Sequence, residues 1–190
     1  IAVVIDLGRS GRRGGKLGTN EGDSEGMIVI ADTTPLISLM KIGRLDLIFH
    51  LFGEIMIPKA VFDALVYNSR FPEESRQMKE SSFIKTVVVE DIKSVELLRR
   101  STGLDAGESE AIILSDKLKA SILLMDEVKG RQVAKQMGIQ IMGTIGMLLA
   151  AYRSEVLSKQ EILQYINILK VSGRHISDKL YEQLIEKLDS

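Results

Sequence analysis

Residues 27–41 read MIVIADTTPLISLMK, and residues 121–130 read SILLMDEVKG. Each opens on a short β-type apolar run, MIVIA or SILLM, and each run stops at an aspartate, Asp32 or Asp126, before the pattern turns helical. Working outward, three further runs of the same kind appear: EIMI (54–57), IKTVVV (84–89) and IQIM (139–142). The segments between them carry apolar residues at helical spacing, such as Leu36, Leu39, Met40 and Ile42, then Val95, Leu97 and Leu98, then Ile112, Ile113 and Leu118. Alternation of this kind predicts an α/β fold, a three-layer α/β/α sandwich around a mainly parallel five-stranded sheet with right-handed crossovers. Pro35 and Pro58 sit where helices would start, because a missing N–H costs least there. Ser158 to Lys170 and Ser177 to Leu188 predict two C-terminal helices without further strands, acting as a cover or a pairing surface.

Composition narrows the chemistry. The 190 residues are 45% hydrophobic and 27% charged, ordinary for a globular domain. Twenty-five Lys plus Arg balance 26 Asp plus Glu, so any nucleic-acid contact must use a local basic patch rather than a global field. With no Cys and only His50 and His175, there is no thiol nucleophile, zinc-thiolate site or histidine-rich metal site. Oxygen ligands remain. The longest apolar stretch, Ile139 to Tyr152, is interrupted by Gly143 and Gly146 and does not span a bilayer, so the chain reads as cytoplasmic. Residues 1–26 differ from the rest: after IAVVIDLG they run through GRSGRRGGKLGTNEGDSEG. This segment reads as a leader, tag or disordered arm before a domain spanning 27–190, with a basic nucleic-acid-binding arm as the alternative.

In an open parallel sheet, ligands bind beyond the carboxyl ends of the strands. Asp32 and Asp126, with Glu127 next to it, fall at such ends, and LDAGESEA supplies Asp105, Glu108 and Glu110 at the start of a helix. Each has a structural alternative. Asp32 and Asp126 could cap the helices that follow them, and Asp105 with Glu108 has the spacing of a capping box. Three ionised acids in one cleft repel one another by roughly 1 kcal/mol per pair in water-like surroundings and about 4 kcal/mol at an effective dielectric of 20. Such a cluster calls for a hard cation, Mg²⁺ or Mn²⁺. An ion held in that way suits phosphodiester hydrolysis.

The blocks ADTTPLISLMKIGRLDLI, IPKAVFDALV, LDAGESEAI, LLMDEVKGRQVAKQMG and IMGTIGMLLAA, in that order, resemble the PIN-domain family in its prokaryotic, toxin-type branch. The resemblance covers nearly all of 27–190. It implies a metal-dependent ribonuclease of α/β/α fold, in many cases the toxin of a toxin–antitoxin pair. Carried onto this sequence, it implies Asp32, Glu108 and Asp126 as catalytic and metal-holding carboxylates, with Glu127 and Glu110 as auxiliaries. One block departs from the family pattern Pro-x-x-Val-x-x-Glu: Pro58 and Val61 match, but the acid position falls on Ala64. Asp63 beside it points about 100° away on a helix and is no automatic substitute.

That departure sustains an alternative, a catalytically weakened module that binds RNA or a protein partner without cleavage. Candidate RNA-phosphate contacts are Lys129 and Arg131, just after Asp126, together with Lys41 and Arg44. Solvated helix faces are the competing reading, most of all for Lys41 and Arg44. An antitoxin protein and a second copy of the chain are the expected partners, with no membrane involvement. Other chemistries fit poorly. The glycine-rich arm fails the phosphate-loop pattern, since Ser10 occupies the first required glycine and Leu17 follows Lys16. Asp32-Thr33-Thr34 lacks the second acid of a phosphoaspartate enzyme, and no G-x-S-x-G occurs. His50 and His175 read as structural or solvent-facing.

Overall fold

The computed structural model describes residues 26–67 and 72–189. Five apolar runs form the strands β1 (Val29–Ala31), β2 (Ile55–Pro58), β3 (Ile84–Val87), β4 (Ile122–Leu124) and β5 (Ile141–Met142). They pair in parallel in the order β3-β2-β1-β4-β5. Burial on both faces explains why these segments read as continuous apolar runs rather than as alternating ones. Along β1 and β4, Val29, Ala31, Ile122 and Leu124 join one core cluster, while Ile30 and Leu123 join the other.

Among the described residues ten helices accompany the strands: α1 (Thr33–Lys41), α2 (Asp46–Phe52), α3 (Lys59–Val66), α4 (Pro72–Glu80), α5 (Ile92–Thr102), α6 (Ala106–Lys117), α7 (Val128–Gln136), α8 (Thr144–Arg153), α9 (Lys159–Val171) and α10 (Asp178–Leu188). Leu36 and Leu39 of α1, Val61 of α3, Leu148 of α8 and Ile162 of α9 fill the first core cluster. Val95 of α5, Ile112 of α6 and Ala134 of α7 fill the second. Helices thus cover both faces of the sheet, the expected three-layer α/β/α sandwich. Each fully buried Leu or Ile contributes roughly 1.5–3 kcal/mol relative to exposure.

Some boundaries differ from expectation. α1 begins two residues before Pro35, which is tolerated because the first four N–H groups of a helix have no intrahelical partner. Pro58 closes β2 and serves as N-cap of α3 rather than as its first residue. α4 buries only Met78, so apolar spacing had nothing with which to announce it. The two terminal helices lie where expected, each started by a serine cap, Ser158 or Ser177. α9 runs antiparallel to α1: Arg44, beyond the end of α1, bonds Tyr165 in α9 at 3.1 Å, and Arg174, beyond the end of α9, donates to the Thr34 carbonyl at 2.8 Å. Among the described residues no helix is long and apolar enough to cross a membrane. The leader or arm reading concerns a segment that, up to residue 25, lies outside the described residues.

Candidate functional site

β1 is flanked by β2 on one side and by β4 on the other, so the connections leaving these strands diverge and open a crevice between β1 and β4 at their carboxyl ends. Asp32 and Asp126 are the residues that follow at this point. The Asp32 amide donates to the Leu124 carbonyl at 2.9 Å, which extends the ladder by one bond and seats Asp32 beside the end of β4.

Asp32 is only 2% exposed. It holds the N-cap position of α1 without a side-chain cap hydrogen bond of regular geometry, although the Thr33 and Thr34 amides lie close enough to favour its charge. Burial pushes its carboxyl up to about 7, the Asp105 and Glu108 charges push in the same direction, and the Thr33 and Thr34 amides offset part of the effect. Asp105 reaches this neighbourhood because α6 packs tightly on α1 and α3. At Gly107, the place of an absent Cβ lies 3.4 Å from both Thr33 Oγ1 and Val61 Cγ2, and 3.5 Å from Asp105 Oδ1.

Glu108 does two things. With Asp105 it forms the capping box that the spacing allows: its Oε2 accepts from the Asp105 amide at 2.9 Å, and Asp105 Oδ1 accepts from the Glu108 amide at 2.8 Å. Partial burial also raises its carboxyl above the usual range, reinforced by Asp105 and Glu127 and opposed by Lys129. Asp32 and Glu108 therefore both feel the charge of Asp105, Asp32 also feels Glu108, and Glu108 also feels Glu127.

Asp126 is fixed differently. Its Oδ1 accepts from the Thr144 amide at 2.7 Å and its Oδ2 from the Thr144 hydroxyl at 2.6 Å, so the first turn of α8 clamps both oxygens. Gly143 makes the clamp fit, because a Cβ there would lie 2.8 Å from both Asp126 Oδ1 and Arg131 Nη1. Arg131 is held in turn by donating to the Met125 carbonyl at 2.8 Å.

The remaining acids go elsewhere. Glu110 lies two residues from Glu108, a rotation of about 200° on a helix, and its Oε2 accepts from the Ala60 amide at 3.1 Å in the first turn of α3. Asp63 pairs with Lys59 at 2.6 Å, and Ala64 is exposed on α3, so nothing replaces the missing acid. Lys41 and Arg44 lie at the far end of α1 from Asp32. Arg44 is locked onto Asp46 at 3.0 Å and onto Tyr165, which makes it a structural cation. His50 and His175 are exposed, as expected.

Sequence reasoning missed Thr144 and Gly143 as parts of the site, and it placed Asp105 in the acidic cluster without making it a catalytic or metal-holding residue. The signal for Thr144 was its place directly after the β5 run, on the same edge as Asp126. Among the described residues, no group of three or more acidic or histidine side chains is gathered closely enough to grip a metal ion.

The chain is a doubly wound parallel α/β domain with carboxylates at its switch point, the place where such domains bind their ligands. The family model for PIN domains of the DUF3368 type matches residues 28–190, and the chain belongs to the PIN-domain family. None of the curated proteins matches it. PIN domains are nuclease-type folds that typically use divalent metal ions.

Proposed function

We propose that this protein is a metal-dependent ribonuclease, hydrolysing RNA phosphodiester bonds at a site built from Asp32, Glu108 and Asp126, and that it serves as the toxin of a toxin–antitoxin pair. The observation carrying the reading is Asp32: a carboxylate 2% exposed and set among like charges that the first amides of α1 offset only in part. A divalent cation would relieve that conflict, with the carboxylates drawing in around it, since as they stand they are not gathered into one ligand set. Asp32, Glu108 and Asp126 would hold Mg²⁺ or Mn²⁺, with Glu127 as auxiliary. When bound, such an ion supplies an activated water and neutralises developing charge on the phosphate.

The chain's own groups do the rest. Thr144 fixes the orientation of Asp126, as an outer-shell partner does for a metal ligand. The capping box holds Glu108 at the mouth of the cleft. Lys129 and Arg131, on the first turn of α7, meet the substrate phosphate. The toxin role, the antitoxin partner and pairing with a second copy follow from the family resemblance.

A second reading, binding without cleavage, draws on the exposed Ala64 and on the loose grouping of the acids. Cleavage of a single-stranded RNA in Mg²⁺ or Mn²⁺ separates the two. The nuclease reading expects metal-dependent turnover that falls at least about 100-fold in Asp32→Asn, the loss of roughly 3 kcal/mol of transition-state stabilisation. RNA binding with no turnover by the wild-type protein favours the binding module.

A further inference from the structure

β5 is two residues long and among the described residues no strand pairs with its outer side, so α7 and α8 face one another across an open groove of about 950 Å³. The groove starts at Asp126 and Gly143 and continues past Ile141 and Met142 towards the far end of α8. On α7, Arg131 and Lys135 are four residues apart and share a face, separated by about 6 Å along the axis. On α8, Arg153 closes the far end, about 15 Å of helix from Gly143. Four of the lining residues are cations, and Asp126 is the single acid among them. In a chain whose net charge is -1, that is a local segregation of charge rather than an effect of composition. Lys135 and Arg153 are exposed and have no ion-pair partner among the described residues.

We infer that this groove carries an unpaired RNA strand between the acidic cleft and the far end of α8, with phosphates on Arg131, Lys135 and Arg153 and bases over the apolar floor. The inference rests on the ribonuclease reading and adds to it a substrate form and a path. A cationic rim calls for a polyanion. An apolar floor calls for one whose apolar faces are accessible, which unpaired bases are and the stacked bases of a duplex are not. Arg131 links the two sites, since it lines the groove and also stands across Gly143 from Asp126.

The test is fluorescence anisotropy of a labelled 12-nucleotide oligouridine with the full chain in EDTA, so that nothing is cleaved. The double variant Lys135→Ala/Arg153→Ala is expected to bind about tenfold more weakly. Its plot of log affinity against log salt should be shallower by about 1.4, from two lost contacts at roughly 0.7 each. Lys93→Ala, on α5, should match the wild type, and a duplex of the same length should compete poorly. A double variant with wild-type affinity and salt slope overturns the groove and leaves the nuclease reading standing. Wild-type protein that binds no RNA at any salt overturns both. Polyglutamate binding as tightly as RNA, and lost on the same substitutions, would make the groove a protein-docking site and overturn the assignment.

Discussion

The amino edge of the sheet and the crevice between β1 and β4 treat charge in opposite ways. At the amino edge charges meet their opposites: Arg44 with Asp46, Lys85 with Glu54, Lys119 with Asp116 and Lys159 with Asp189. Such exposed pairs add little stability, about 0–1 kcal/mol each, and ask for nothing from outside. At the carboxyl edge Asp32, Asp105, Glu108 and Glu127 bring like charge to like charge, partly out of water. The difference teaches where a ligand is wanted. A balanced edge is complete without one, whereas the crowded edge holds a deficit that a cation makes good.

The largest test of this contrast is the pH dependence of stability in chelator. Asp32 ionises near 3.8 in an unfolded chain and near 7 in the folded protein, so between those values the folded state keeps a proton that the unfolded state has released. Stability should therefore fall as pH rises through that window, by a few kcal/mol at about 1.36 kcal/mol per unit. Asp32→Asn should lack this fall and exceed the wild type at about pH 8 in urea melts, with Mn²⁺ reversing the order. A flat wild-type profile would break the contrast.

Gly143→Ala should come next, because its Cβ must displace Asp126 or Arg131. We expect a stability loss of about 1–3 kcal/mol and a drop in cleavage on the order of 100-fold from misplaced groups. Unchanged turnover would show that Asp126 tolerates movement. Thr144→Val removes one of the two donors to Asp126, and metal affinity read by calorimetry should weaken about 10-fold or more. The smallest effect belongs to the other edge: Arg44→Ala should cost about 1 kcal/mol in melting experiments through lost packing and pairing. It should leave RNA affinity untouched, and a weakened affinity would bring Arg44 back among the RNA contacts.

The layers were legible in the sequence because strand burial and helical spacing are local patterns. All five apolar runs became strands, and the serines at 158 and 177 became helix caps. Placing Asp32 and Asp126 on one edge was equally legible, since it needs only the parallel order. The partner of each side chain was not. Nothing local says that Arg44 will meet Tyr165, that Glu110 will reach the first turn of α3, or that Asp126 will be gripped by Thr144. Those pairings depend on which helices the crossovers lay side by side. For the same reason the pattern gave the helix that leads to Lys41 and Arg44 and not which of its ends faces the crevice.

The pairing of β1 with β4 joins opposite halves of the chain, with Val29 lying against Ile122. Asp32 leaves the ribosome long before its counterpart beyond β4, and the crevice between them does not exist until the later strand has emerged and docked. A chain still being synthesised therefore has no crevice, and whatever ligand the crevice takes can enter only once folding is complete.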